Sequence, residues 1–513
     1  MKTIKNIILI CSFFFVLTGC DEGFEELNIN PNALTDIDPA LLFVNAERAT
    51  YAGAWEGEST IAQHFMNAYD LGATSGHNFN QDNDNFNIGR WNDSYVGPFE
   101  DGNASIKLLV QGIEITTDDA SLSNLRNVMR IWKAYVFMGM VDAYADVPYF
   151  EAGKAFLNTN YSPVYDDDAA IYDDLYNELT SASQALTPSG GDISADLIYG
   201  GDIDKWRKMA NSLLLRLGMR YSKLNPAKAE QIVVEAFNAG VIDANSDDAY
   251  IQYTNIYNNP INGISNNNPY FYYLAEPLIN ELKATNDPRS RFISGKYTDP
   301  NVVVAPDAVI DVTLSNQFGF PVGYNDITVQ DKADYRGTVG TGLNYSQPNY
   351  FAIGSASAPV FYVTNSQTKL LLAEAAFRGW ITGDPQQYYE DGIRASMEQW
   401  SLYPGGFADI SDAEINDYIN NDVPYNATDA LELINTQYWV SNINNGMEAW
   451  CNFRRTGLPA LSPNAFNNNL NGGFVRRMPY PNVEASENPD NYQAAASAIG
   501  GDELTTRVFW DIP

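Results

Sequence analysis

"LLLAEAAFRGWITGDPQQYYEDGIRASMEQW", Leu370 to Trp400, carries the reading on which the fold turns. Leu370, Ala373, Phe377 and Trp380 recur every three or four residues, and the same spacing resumes at Tyr389, Ile393, Met397 and Trp400. That is the apolar stripe of an amphipathic helix, written twice. Between the stripes lies "ITGDP", whose Gly383 and Pro385 interrupt helix and mark a turn. The segment therefore predicts two helices of about 15 residues that fold back on one another, each needing a further neighbour to cover its stripe.

Such a hairpin resembles a tetratricopeptide repeat, with small Ala373 and Ala376 where neighbouring helices approach. No strict repeat period runs along the chain, so the repeats are degenerate and interrupted. Outward from this pair, Leu122, Leu125, Val128, Trp132, Tyr135, Gly139 and Ala143 mark a long helix that stops before Pro148, which disfavours helix at Val147. Another helix reads from Ala169 to Leu186, behind an acidic start suited to the helix dipole. Trp206, Ala210, Leu213, Leu217 and Tyr221 mark a third, followed by a helix from Pro226 to Ala239. Asn-, Gly- and aromatic-rich stretches at residues 71–101, 251–275, 296–365 and 456–513 read as loops, with short strands in "VVVAPDAVIDVTL". Loops this long are uncommon unless functional. The expected fold is mainly α: a tetratricopeptide-like helix-pair scaffold with a long loop-rich ligand face, few short strands, and a single domain over residues 20–513.

The N-terminus has its own pattern. Lys2 and Lys5 precede an apolar run from Ile7 to Leu17, the layout of a secretory signal and too short for the roughly 20 residues of a membrane span. Leu17-Thr18-Gly19-Cys20 looks like a bacterial lipobox. On that reading residues 1–19 are removed, Cys20 is acylated, and its several chains hold the protein on a membrane. Asp21, Glu22, Glu25 and Glu26 follow in an acidic tether to about residue 30, resembling the surface-export signal of Bacteroidetes lipoproteins. Loss of Lys2 and Lys5 would take the formal charge from −34 to −36, which argues against nucleic acid as a partner. Cys11 leaves with the signal and Cys20 is lipidated, so Cys451 has no disulfide partner.

Catalytic signatures are missing. With only His64 and His77, the chain has no H-E-x-x-H, no nucleophile elbow and no phosphate loop. A glycosidase needs paired carboxylates, but 64 acidic residues make such pairs uninformative. Asp82, Asn83, Asp84 and Asn85 form an oxygen-rich cluster that fails the EF-hand pattern at Phe86 and Asn87 and reads as a solvated loop. No enzyme activity, cofactor or metal is expected.

"YADVPYFEA", "WRKMANSLLLRLGMRYSK", "TKLLLAEAAFRG", "GMEAWCNFRRTGLPAL" and "RRMPYPNVEASENPDNY" occur in this order. Together they resemble the SusD/RagB-like nutrient-binding lipoproteins of Bacteroidetes, and "LNINPNALTDIDPALLFVNA" resembles the second SusD-like group. The resemblance implies four tetratricopeptide-like helix pairs under a loop-rich face. It also implies a surface-exposed outer-membrane lipoprotein that lids a SusC-like TonB-dependent channel and captures a glycan or, in some members, an oligopeptide. The family motifs themselves read as scaffold: Trp206, Arg216 and Arg220 as packing, Arg454 and Arg455 as partners of buried carboxylates.

Ligand contacts are expected where aromatics sit in loops beside amides and carboxylates. A sugar ring offers a C–H face to an aromatic plane and hydroxyls to polar neighbours. Tyrosine is abundant, 32 residues against 25 phenylalanines, and suits such a surface. The candidates are His77, Trp91, Asn92, Asp93 and Tyr95 in one stretch; Asn268, Tyr270 and Tyr272 in "NNNPYFYY"; and Tyr324 with Asn325. The competing readings are a glycosidase, which would release reducing ends, and an adhesive lipoprotein with no soluble ligand.

Overall fold

A computed structural model describes residues 37–513, apart from 54, 56, 70–83, 99–101, 262–270, 304, 306–307, 465–469 and 471. The lipobox with Cys20, His77, Asp82, Asn268 and Tyr270 lie outside the described residues. One-turn helices aside, α1 (Pro39–Ala49), α2 (Asp84–Tyr95) and α3 (Ser105–Ile115) lead into α4 (Ser123–Tyr144) and α5 (Asp168–Ala185). Next come α6 (Ile203–Arg220), α7 (Pro226–Ala239) and α8 (Glu276–Ala284), then α9 (Asn365–Phe377), α10 (Pro385–Glu398), α11 (Ala430–Ser441), α12 (Gly446–Thr456) and α13 (Pro489–Ala498). Helices α4 with α5, α6 with α7, α9 with α10, and α11 with α12 form four packed pairs. The pairs stack through α5 on α6, α6 on α9, and α9 on α11. No described helix is long and apolar enough to cross a membrane.

Local chemistry explains the boundaries. Asp202 caps α6 by accepting from the amides of Asp204 and Lys205, and Asn225 accepts from Lys228 ahead of Pro226 at the first turn of α7. Thr364 and Gln367 make a reciprocal capping box on α9, and Asp384 with Pro385 starts α10. Glycine sets the closest helix approaches. A Cβ on Gly218 would lie 3.1 Å from Ile232 and Val233, and one on Gly392 would lie 2.7 Å from Leu370. Ala373 is buried at the α9 crossing as expected, whereas Ala376 is only half-buried.

Among the described residues seven short strands decorate the helices: β1 (Phe65–Asn67), β2 (Ala249–Ile251), β3 (Tyr272–Leu274), β4 (Ser294–Tyr297), β5 (Ile310–Asp311), β6 (Gln347–Pro348) and β7 (Val360–Val363). All pair antiparallel, β1 with β3, β2 with β7, and β4 between β5 and β6. Two expected loops are corrected. The stretch 71–101 contains α2, where tertiary packing fixes helix against weak local propensity, and 456–513 contains α13, whose Pro489 start, Asp490 in the first turn and run of alanines favour helix locally.

The helix pairs are tied together by charges inside the core. Arg220 on α6 reaches Glu448 on α12 at 2.7 Å and Asp142 on α4 at 3.3 Å, while Arg216 reaches Glu448 at 3.3 Å. Tyr438 donates to Glu448 at 2.8 Å, and Trp510 and Tyr172 donate to Asp142. Arg455 holds Glu374 on α9 through two bonds of 2.7 Å, as expected of a structural arginine. Arg454 differs from expectation: it donates to the carbonyls of Asp142 and Arg476 and lies over Trp450 at 3.8 Å. Beside it the Cys451 thiol is buried, and burial pushes its pKa up to about 12.

Glu374 and Glu448 are desolvated, yet their arginines hold both down to about 2, so their stabilisation is present above the ordinary carboxylate range and is lost only in strong acid. Asp248 is the opposite case. It accepts from the Asn365 amide and from Gln399, with no cation beside it among the described residues, and burial raises it to about 7 against those hydrogen bonds. A raised carboxylate stabilises the fold below its unfolded pKa, and that contribution is lost as pH rises through about 7. Asp146 and Asp168, raised mainly by burial to about 6 and about 7, add to the same window. Denaturant unfolding will show stability falling between about pH 4 and 7, and Asp248→Asn will reduce that fall by up to about 4 kcal/mol, the remainder belonging to Asp146, Asp168 and the other carboxylates that burial raises, Glu47 and Asp511 among them.

Candidate functional site

Three of the sequence candidates converge on one small sheet. In the β1–β3 pair, Asn67 lies opposite Tyr272 and Phe65 opposite Leu274. The Ala68 amide then donates to Phe271 O at 2.9 Å, and the Asp326 amide donates to Ala68 O at 2.7 Å. The chain enters residues 70–83 just after Tyr69 and leaves 262–270 just before Phe271, and these two rings are 5.5 Å apart. Thus Tyr69 and Phe271 lie at the edge where Tyr324 and Asn325 are pinned.

A second apolar core supports this edge. Met66, Ala68, Tyr273, Ala275, Phe320, Val329, Val339 and Tyr345 are buried together, with Tyr69, Val322, Tyr324 and Tyr335 half-buried over them. The segment 318–346 is locked onto β3: Phe320 N donates to Leu274 O at 2.7 Å, and Leu274 N donates to Ser346 O at 2.9 Å. Gly340 N donates to the Tyr273 hydroxyl, and Arg336 N to that of Tyr345. Rigid tyrosines therefore hold up partly open ones, an arrangement that presents flat apolar area edged with hydroxyls. Lys332 sits 5.5 Å over the Tyr324 ring and 3.5 Å from Glu276, leaving a charged rim.

Individual candidates divide by environment. Tyr324 is half-buried at this face, and its hydroxyl makes no hydrogen bond among the described residues. Asn325 is buried and structural: its Oδ1 accepts from the amides of Ile327 and Thr328 and starts a 3-10 turn at Thr328–Asp331. Tyr272 is buried beside Trp55, ring to ring at 5.7 Å. Trp91, Asn92, Asp93 and Tyr95 are corrected from loop to helix α2. Trp91 is only 3% exposed. Tyr95, Tyr144, Tyr165 and Tyr480 surround its ring at 4.8 to 6.0 Å, so neither face is open for stacking. Tyr95 donates to Pro148 O at 2.6 Å, while Asn92 and Asp93 are half-buried. Tyr69 and Tyr335, which sequence reading passed over, share the face with Tyr324.

The polar interior beside α2 is not a sugar site. Arg90 donates to Glu58 at 2.8 and 3.0 Å and lies over Tyr51, with Gly139 making room for its guanidinium. The adjoining cavity, lined by Tyr135, Arg216 and Glu448, has a volume of about 30 Å³, the scale of a water. Asp146, Asp167 and Asp168 bring carboxylate oxygens within 4.8 Å of one another. Their hydrogen bonds to the amides of Asp168, Ala170 and Phe509 serve the start of α5.

Against known proteins, the family model described as SusD-like and "Starch-binding associating with outer membrane" matches residues 31–481. Among solved structures, a chitin-binding protein is 28% identical, with 93% of this chain and 100% of that one covered and a TM-score of 0.79. A Bacteroidetes SusD-like protein is 26% identical over the same shares, with a TM-score of 0.80. A SusD homolog from Bacteroides uniformis, 23% identical with a TM-score of 0.70, shares the fold. No curated protein matches.

Trp91→Ala will cost about 3 to 5 kcal/mol in denaturant unfolding because it empties a packed aromatic cage. Tyr324→Ala, at a half-open position, will cost under about 1.5 kcal/mol in the same measurement.

Proposed function

The chain belongs to the SusD-like family, and on that basis we propose that it is a surface-exposed lipoprotein that captures a nutrient glycan and delivers it to a partner TonB-dependent, SusC-like channel. Residues 20–513 act as a single domain held to the outer membrane by lipid on Cys20, with the acidic stretch to about residue 30 as tether. The continuous core reaching from Ala40 to Trp510 supports the one-domain reading. Function is reversible capture without covalent chemistry, in keeping with a family of binding proteins.

The observation that carries the reading is the half-buried tyrosine face of Tyr69, Tyr324 and Tyr335 on the second core. Tyrosine planes meet the C–H faces of a sugar, and their hydroxyls with the Lys332 and Glu276 rim meet its hydroxyls. Among the sequence candidates, we assign the principal contact to Tyr324, supported by His77, Asn268 and Tyr270, and give Trp91, Tyr272 and Asn325 supporting roles in the fold. The family description and the chitin-binding relative favour a polysaccharide over a peptide.

Calorimetric titration of the detergent-solubilised full chain against starch, chitin and plant oligosaccharides and a peptide digest tests this. Binding to one glycan class is expected, weakened at least about tenfold (about 1.4 kcal/mol) in Tyr324→Ala with unfolding stability nearly kept. Heat from the peptide digest alone would move the function to oligopeptide capture.

A further inference from the structure

A second cleft lies away from the tyrosine face, between the turn after α8 and the segment 412–422, and its volume is about 260 Å³. Drug-sized ligands occupy pockets of about 300 to 1,000 Å³, so this one suits a single small ring unit. One wall is apolar, formed by Pro288, Val312 and Leu314. The other is polar and already oriented. Arg291 donates to Glu414 at 2.7 Å and to the carbonyls of Ala408 and Asp409, which holds its guanidinium in place at the cleft. Asn286 donates to Asp422 Oδ1 at 2.8 Å, and Asn421 donates to Asp417 Oδ1 at 2.6 Å. The second carboxylate oxygens of Asp417 and Asp422 accept no hydrogen bond among the described residues.

The backbone places those two carboxylates together. Residues Tyr418–Asp422 form a π-helical turn, closed by Val423 N donating to Tyr418 O at 3.0 Å. In a π turn, residues five apart fall on one side, whereas an α-helix would carry them apart, and such turns occur frequently at functional sites. Asp417 and Asp422 thus share the cleft wall with Glu414. Behind them Tyr418 is fixed by Arg289, Asp287 and Gln437 in a fully buried network, so the turn is rigid.

We propose that this cleft is a second saccharide site, taking one neutral sugar unit. Its lining mixes fixed donors, Arg291 and Asn286, with carboxylate acceptors that have lone pairs to spare. A sugar hydroxyl serves as donor and acceptor at once and matches both, while the apolar wall covers the C–H side of the ring. No exposed aromatic is among its lining residues, so this site is weaker than the tyrosine face and takes its sugar unit independently of that face. The inference rests on the glycan reading above.

Hydrogen exchange on the detergent-solubilised full chain tests it, with maltotriose and chitotriose as probes, in wild type, Tyr324→Ala and Asp422→Ala. At a saccharide concentration ten times the Kd, amides in 414–423 and 286–291 are expected to slow on the order of tenfold in wild type and in Tyr324→Ala, and not in Asp422→Ala. Asn286→Ala serves as a second variant should Asp422→Ala fail to fold. Protection confined to the tyrosine face and abolished by Tyr324→Ala would overturn the cleft site while leaving glycan capture standing. Protection nowhere would overturn both, and protection of 414–423 by calcium but by neither saccharide would overturn the sugar assignment.

Discussion

The ion network of Arg216, Arg220, Glu448 and Asp142 is the constraint from which the architecture follows. Its members come from α4, α6 and α12, so no helix pair satisfies it alone. Removing one partner from such a network leaves a buried charge uncompensated, at a cost of about 3 to 5 kcal/mol, which specifies the assembled arrangement over looser ones. Arg455 with Glu374 repeats the device between α12 and α9, while Arg289, paired locally with Asp287, ties its turn to Ser396 on α10 and Gln437 on α11 by hydrogen bonds. Family motifs therefore record where the scaffold is bolted. They are silent on what it carries.

The scaffold was readable because its chemistry is local. Pro226 to Ala239 emerges with the same ends that its Asn225 cap, Pro226 start and Gly240 stop would set, and the Leu370–Trp400 hairpin differs only in its terminal residues. Helix α2 was not readable. "DNFNIGRWNDSY" is rich in Asn, Asp and Gly, residues whose side chains or backbone freedom favour turns. What makes it helical is the cage around Trp91 and the Arg90–Glu58 pair, whose other halves, Tyr95 apart, lie from 32 to nearly 400 residues away in sequence. A window read along the chain contains none of them.

The same limit governs the ligand face. Each candidate stretch showed its tyrosines and asparagines, yet only the β1–β3 pairing, which joins residues about 200 apart, and the Asp326–Ala68 bond reveal that Tyr272 and Tyr324 belong to one small sheet. Exposure was equally hidden. Trp91 and Tyr324 look alike in sequence, both aromatic beside Asn, but one ring is enclosed by four tyrosines and the other lies over a separate small core. That separate core is itself informative: the face has its own apolar support and is not an outgrowth of the helix stack.

The thiol of Cys451 is the one cysteine among the described residues, and it lies buried between Asp142 and Arg454. With its pKa pushed up to about 12, it holds almost no thiolate at neutral pH, and thiolate is the form that alkylating reagents and oxidants attack. The folded scaffold is therefore blank to thiol chemistry at that position. A single cysteine introduced on the tyrosine face would take a fluorophore selectively against Cys451, which turns this quiet interior sulfur into a practical asset for watching ligand arrive.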